Sequence, residues 1–251
     1  MEVVIIGTGN VATVLSKLII ANGHTIREVV GRELQNASLI ALPIGAKAIN
    51  NIHLISPNAD IYIVAVNDDA IIEIAKQLLV NNKLVVHTAG SINKNVLSQV
   101  SNNYGVLWPL QTLRKETIVI PDIPFVIDAS NIESFNILEI FAKSLSTQCF
   151  RANYEDRIKL HLSAVVVSNF TNHLFALVEN YCHEENLDFK LLLPLINQTI
   201  KRLDNNSPKN LQTGPAIRGD FETINTHVEI LEKYPSLKAL YQAFTNSIMY
   251  K

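Results

Sequence analysis

The chain has 251 residues, of which 48% are hydrophobic and 18% charged, with a formal net charge of −2. That composition supplies core for one large or two modest domains and excludes a disordered chain. With no basic run and almost no net charge, nucleic acid and anionic membrane are poor partners, and a small molecule is the expected one.

The first residues carry the most information. Apolar residues 3–6 read as a buried strand and run into Gly7-Thr8-Gly9-Asn10-Val11-Ala12, followed by a helical pattern of Val14, Leu15, Leu18 and Ile19. Gly7 permits the tight turn, Gly9 lets the backbone approach a pyrophosphate, and Ala12 is small where helix packs on strand. This is the pattern of a dinucleotide site, in the required context of strand before and helix after. Asn22-Gly23 ends the helix, and residues 25–30 give a second strand. A carboxylate that would bind a ribose 2′-hydroxyl is expected about twenty residues past the glycines. Here the strand tip reads Gly31-Arg32-Glu33. Arg32 suits a 2′-phosphate, through bidentate pairing and stacking, so NADP is favoured over NAD. Glu33 leaves room for NAD if its side chain faces the site instead.

Further short apolar runs at 61–66, 84–87 and 106–108, with helical segments between most of them, predict an α/β fold: a doubly wound, mostly parallel Rossmann sheet. Runs at 124–128 and 148–151, flanking an amphipathic helix at 132–145, are expected to extend the same sheet. Ligands bind such sheets at the carboxyl ends of the strands. Three polar loops lie there. Val66-Asn67-Asp68-Asp69 and His87-Thr88-Ala89-Gly90-Ser91 are expected to border the cofactor, while Trp108-Pro109-Leu110-Gln111-Thr112 sits toward substrate. The competing reading is ordinary capping, by Asp68 or Asp69 of the helix at Ile71 and by Ser91 of the next. His87 reads first as a hydrogen-bonded core residue and second as a general acid.

From residue 153 the pattern turns all-helical, which divides the chain into a nucleotide-binding domain, 1–152, and a helical substrate or dimerisation domain, 153–251. The two are expected to pack with a cleft between them. A long segment, 154–185, has neither Gly nor Pro and is followed by 187–203. At ~100° per residue His161, Ser168 and Asn172 fall within roughly 40° of one another, with Asn169 beside them. Such a stripe is expected to be buried or to face a cleft, either contacting substrate or forming a seam between helices or subunits. His173 lies off it. Residues 205–220 read mostly as loop, and 222–233 and 236–250 as two closing helices. Within the loop, Gly214 and Gly219 bracket Arg218, which either contacts a carboxylate substrate or pairs with Asp220.

No metal site is expected: Cys149 and Cys182 are far apart in sequence and read as free core thiols. No apolar stretch approaches the ~18 residues of a membrane span, and the first strand leaves no room for a signal peptide, so the expected location is cytoplasmic.

Together the Gly-Thr-Gly-Asn-Val-Ala turn, Val64-Ala-Val-Asn-Asp-Asp69, His87-Thr-Ala-Gly-Ser91, Trp108-Pro-Leu-Gln-Thr112, Ser168-Asn-Phe-Thr-Asn-His173 and Gln212-Thr-Gly-Pro-Ala-Ile-Arg-Gly-Asp220 resemble an uncharacterised bacterial family of NADP oxidoreductases. That family has a Rossmann-like amino half and a helical domain of unknown function. Its architecture is similar to pyrroline-5-carboxylate reductase, ketopantoate reductase and the 6-phosphogluconate dehydrogenase group. The resemblance implies a reductase transferring hydride to a small, anionic carbonyl or imine in an interdomain cleft, and a homodimer built through the helical domains. Several of those relatives carry a catalytic Lys four residues before an Asn. Here Ser168 stands in that place before Asn172. Serine cannot donate a proton as an ammonium does without an adjacent base. His161 is the substitute donor on the same helix, and an imine that arrives protonated needs less help. The alternatives are a non-catalytic NADP-binding sensor or scaffold and a deazaflavin-linked NADP oxidoreductase.

Overall fold

The computed structural model describes residues 1–80 and 82–250. The chain forms two compact units, Met1–Ala164 and Val165–Lys251. In the first, eight strands are ordered β3-β2-β1-β4-β5-β6-β7-β8. They are β1 (Glu2–Ile6), β2 (Thr25–Val30), β3 (Lys47–Ile49), β4 (Ile61–Val64), β5 (Leu84–His87), β6 (Tyr104–Pro109), β7 (Phe125–Ala129) and β8 (Cys149–Arg151). All neighbours are parallel except β6 and β7. The order reverses at β1, so ligand-binding loops gather at the carboxyl ends of β1 and β4, as in other doubly wound sheets.

Helices α1 (Asn10–Ala21), α2 (Leu34–Ala41), α3 (Asp68–Gln77), α4 (Ile132–Leu145) and α5 (Tyr154–Ala164) belong to this unit. Successive strand residues feed opposite faces. Val3 and Ile5 join the cluster under α1, α2 and α4, whereas Val4 and Ile6 join that under α3. Burial on both faces is why these strands read as unbroken apolar runs.

Three expectations on this sheet need correction. A strand pair is added at the edge by β3, whose three residues are too few to show a period. The run expected at 61–66 ends at Val64, because Ala65 and Val66 already form the turn that receives Gly7. The run expected at 106–108 starts earlier, at Tyr104.

The second unit is helical: a π-helical turn (Val165–Phe170), then α6 (Thr171–Glu184), α7 (Leu193–Lys201), α8 (Pro215–Arg218), α9 (Phe221–Ile230) and α10 (Pro235–Met249). The segment expected to be mostly loop therefore contains α8, one turn entered at Gly214 with φ +109° and left at Gly219 with φ +66°. Both glycines occupy backbone regions that other residues rarely adopt. Among the described residues of this unit, only Cys182, Ile224 and Leu231 are buried hydrophobics. Phe170, Leu195, Ile200, Phe221 and Phe244 are each more than half exposed.

Contrary to the sequence expectation, one helical run, Tyr154–Glu184, is long and apolar enough to cross a membrane by length and composition alone. No residue of its most apolar window is buried. Both cysteines are free; Cys182 is buried and Cys149 half-buried.

Candidate functional site

The turn after β1 has the shape a dinucleotide requires. Gly7 takes φ +132°, and a Cβ there would lie 2.0 Å from the Ala65 carbonyl oxygen, so no other residue fits. Its N–H is bound by Val30 at 2.8 Å, which joins the tips of β1 and β2. Around Gly9 the reverse holds: a Cβ would meet nothing within 4 Å. Gly9 is the N-cap of α1, and no side chain caps that helix. The first turn of α1, with no acidic residue in it, thus leaves N–H groups and the positive end of the helix dipole for an anion. Thr8 and Val11 flank this turn, and Ala12 is fully buried against the sheet. Asn10 has a defined partner: its Oδ1 accepts the Lys115 N–H at 3.2 Å.

That contact marks residues the sequence reading missed. A cavity of about 480 Å³ at the start of α1 is lined by Asn10, Thr112, Leu113, Arg114, Lys115 and Glu116. The Lys17 ammonium donates to the Lys115 carbonyl at 2.9 Å and holds the segment over α1. Thr112, expected near substrate, thus shares a cavity wall with Asn10 at the start of α1. Gln111 is exposed, its Oε1 accepting the Thr112 N–H at 2.9 Å.

At the tip of β2, Gly31 contacts Thr8, since a Cβ on it would stand 2.6 Å from the Thr8 Cγ2. Arg32 next to it is exposed and makes no ion pair or hydrogen bond with the described residues. Glu33 is occupied, accepting from the Asn36 amide at 3.0 Å. The guanidinium is thus open to a ligand, and Glu33 keeps its other carboxylate oxygen, Oε1, without a bond to the described residues.

The loops after β4 and β5 depart from the capping reading. Asn67, not Asp68 or Asp69, is the N-cap of α3. Asn93, not Ser91, caps the 3-10 turn Lys94–Leu97, its side chain accepting from Asn95. Asp68 and Ser91 are instead hydrogen-bonded to each other, tying the two loops together. Two carboxyl-terminal loops of adjacent strands can pair in this way only once the sheet has brought them side by side. Val66 and Thr88 line the same strand ends, Val66 half-buried and Thr88 buried.

His87 is fully buried. Its Nδ1 accepts the Ala89 N–H at 3.2 Å, which puts the ring proton on Nε2. Burial, helped by the Arg157 charge, pushes its pKa down to about 3, against the weaker opposing effect of the Asn93 backbone. A ring held neutral in this way is the core histidine of the first reading and not a proton donor.

Above it, the sheet register sets His87, Val106 and Asp128 side by side on adjacent strands and on one face. Arg157 of α5, 0% exposed, joins them. It donates to the Gly90 carbonyl at 3.1 Å and the Ile92 carbonyl at 2.5 Å, and its Nη1 lies 3.6 Å from Asp128 Oδ2. Asp128 Oδ1 accepts from the Lys94 ammonium at 2.7 Å. Burial lowers the Arg157 pKa, while Asp128 and Tyr154 oppose the change. One turn along α5, the His161 ring rests against Trp108 with centroids 5.7 Å apart. Gly90 fills the space below both rings: a Cβ on it would lie 2.6 Å from Trp108 and 2.7 Å from His161.

The expected stripe of His161, Ser168 and Asn172 does not hold. Val165–Phe170 is π-helical, so an advance of ~100° per residue cannot be carried across it. Ser168, Asn169 and Asn172 are exposed, so burial of the stripe does not hold. Arg218 is also exposed and lies 3.9 Å from Asp220, a loose pair. Asp220 is chiefly the N-cap of α9, held by the Thr223 hydroxyl at 2.8 Å, and those bonds with Thr223 keep its pKa low.

Residues 2–90 match the family model described as NADP oxidoreductase coenzyme F420-dependent, and residues 123–248 match a domain of unknown function, DUF2520. The chain is 36% identical to a protein described as "putative NADP oxidoreductase BF3122" from Bacteroides fragilis, with a TM-score of 0.91 over 100% of this chain and 98% of that one. More distant likenesses, of fold alone, are the pyrroline-5-carboxylate reductase of Streptococcus pyogenes (14% identity, TM-score 0.65, 100% and 99% covered) and an imine reductase from Myxococcus stipitatus in complex with NADP+ (14%, 0.66, 99% and 93%). A comparison with curated proteins found no match. With a glycine turn in its Rossmann-like half, a DUF2520 region behind it and a full-length relative at 36% identity, the chain belongs to the NADP oxidoreductase family that combines these two parts.

Proposed function

We propose that the protein is an NADPH-dependent reductase of a small, anionic carbonyl or imine compound, working in the cytoplasm. The carrying observation is the pairing of an open, uncapped phosphate turn at Gly9 with an unengaged Arg32 at the neighbouring strand tip, where Glu33 is already bound by Asn36. The pyrophosphate would rest on the amides from Gly9 to Val11, and the 2′-phosphate on Arg32. Val66, Asn67, Asp68, Thr88 and Gly90 border the ribose and nicotinamide end. When bound, the dihydronicotinamide supplies hydride.

His161 is the candidate proton donor, because it lies beside Trp108 and Gly90 at the ends of β5 and β6. Ser168 takes the place of the Lys of related dehydrogenases and cannot replace its proton, which favours a substrate that needs less acid, such as an imine. Asn169, Asn172 and Arg218 are the proposed substrate contacts of the second unit. The partner is a second copy of the chain. Support comes from the helical unit, whose described residues bury three hydrophobics and leave large apolar side chains in water.

Titration with NADPH and NADP+, followed by a turnover screen over carbonyl and imine acids, tests the reading. Turnover with an imine or keto acid supports it. Binding without turnover across the screen favours an NADP-binding sensor, the reading that the missing Lys motivates. Turnover that requires a deazaflavin would instead fit the description of the family model matched by residues 2–90. Asn172→Ala is expected to lower turnover with cofactor affinity unchanged; unaltered turnover would make that residue structural.

A further inference from the structure

Resting on the reading that the loops after β5 and β6 receive the nicotinamide end, we propose that Arg157 is the positioning residue of the site, fixing the Gly90 loop and setting His161 against Trp108. A guanidinium buried to 0% exposure is costly, and an apolar side chain of the same volume would serve packing as well or better. What an apolar residue cannot do is reach three acceptors on two other elements at once. Arg157 binds the Gly90 and Ile92 carbonyls of one loop and approaches Asp128 of β7, while Lys94 holds the other oxygen of that carboxylate. The planar fork fixes direction as well as distance, which a lysine does not.

Two consequences follow from helix geometry. His161 lies four residues beyond Arg157 and so projects from the same face of α5. Whatever locks the rotation of α5 at Arg157 therefore sets the angle at which the imidazole meets Trp108. Gly90 touches both rings, so the loop carbonyl held by Arg157 belongs to the residue that forms the floor of the Trp108–His161 pair. Asp128 Oδ2 and Arg157 Nη1 each lack a hydrogen bond although they face each other at 3.6 Å. The pair is thus held by its other bonds, and the orientation of the fork comes mainly from the loop.

Trp108 is the only tryptophan of the chain, so its emission reports this spot without any substrate. A histidine ring in contact with an indole lowers its emission, so the intensity of Trp108 depends on whether His161 keeps its place. Emission is recorded at a single pH for the wild type, His161→Gln, Arg157→Lys and Arg157→Met, each checked for fold by circular dichroism. His161→Gln is expected to raise the emission by about 1.5-fold through loss of the ring contact. Arg157→Lys keeps the charge and loses the fork, and is expected to show at least half of that rise. Arg157→Met buries no charge and serves as the second variant if Arg157→Lys does not fold, with the same rise expected. Unchanged emission in His161→Gln, or wild-type emission in folded Arg157→Lys or Arg157→Met, would overturn the proposal. NADPH titration of the wild type separates the two readings, since failure to bind defeats the cofactor assignment and leaves the emission result standing.

Discussion

At the scale of single residues, the most constrained position is Gly7. Its backbone angle excludes a Cβ, and the Ala65 carbonyl occupies the place where one would go. Gly7→Ala is therefore expected to lose about 2–4 kcal/mol of stability, from strain and overlap together. Urea unfolding measures this, and a loss below about 1 kcal/mol would show that the turn can relax. Gly9→Ala meets open space and is expected to keep its stability while weakening dinucleotide binding. The tight turn at Gly7 was legible in the sequence, because a glycine between a buried strand and a helix has few other uses. The roles of Asp68 and Ser91 were not. Each reads as a helix cap by local chemistry, and their bond to each other exists only because β4 and β5 are neighbours. Arg157 was invisible for the same reason: an arginine one turn into a polar helical stretch looks solvated until the register of three strands sets His87, Val106 and Asp128 beneath it.

At the scale of elements, the apolar strand runs and the helix at 132–145 were legible because each is long enough to show its period, and α4 matches its expected bounds. Three-residue β3 has no period to show. The stripe failed for a different reason. Projection at a constant angle assumes an unbroken α-helix, and the run of Val165, Val166 and Val167 opens a π turn that no composition rule signals. The β5 strand carries a prediction of its own. A neutral His87 in the folded state, with a pKa of about 3 against an ordinary 6.5, binds fewer protons than the unfolded chain between those values. Its contribution to stability is therefore complete above about pH 6.5 and is lost as pH falls toward 3, on the order of 5 kcal/mol at most. His87→Gln is expected to flatten the fall in unfolding free energy between pH 6.5 and 4. An unchanged slope would show that other groups carry the acid sensitivity.

At the scale of the whole molecule, the sheet and the helical unit differ in how they satisfy the hydrophobic effect. Two clusters fill the two faces of the sheet. Among its described residues the helical unit buries three hydrophobics, which is too few to hold so many helices by themselves. A homodimer is therefore expected, with twice the chain mass of 27.9 kDa in sedimentation equilibrium at micromolar concentration. A monomer would leave the exposed Phe170, Phe221 and Phe244 unexplained.

A phosphorylated pyridine dinucleotide is expected to lie along the β1–α1 turn with its adenosine end against Arg32. Calorimetric titration of NADPH and NADH into the wild type and Arg32→Ala tests it most directly. The wild type is expected to bind NADPH more tightly than NADH, and Arg32→Ala to weaken NADPH by about 10- to 100-fold, the worth of one charge-assisted pair of about 1.5–3 kcal/mol, while NADH changes little. Equal loss for both cofactors, or no binding of either to the wild type, would contradict it.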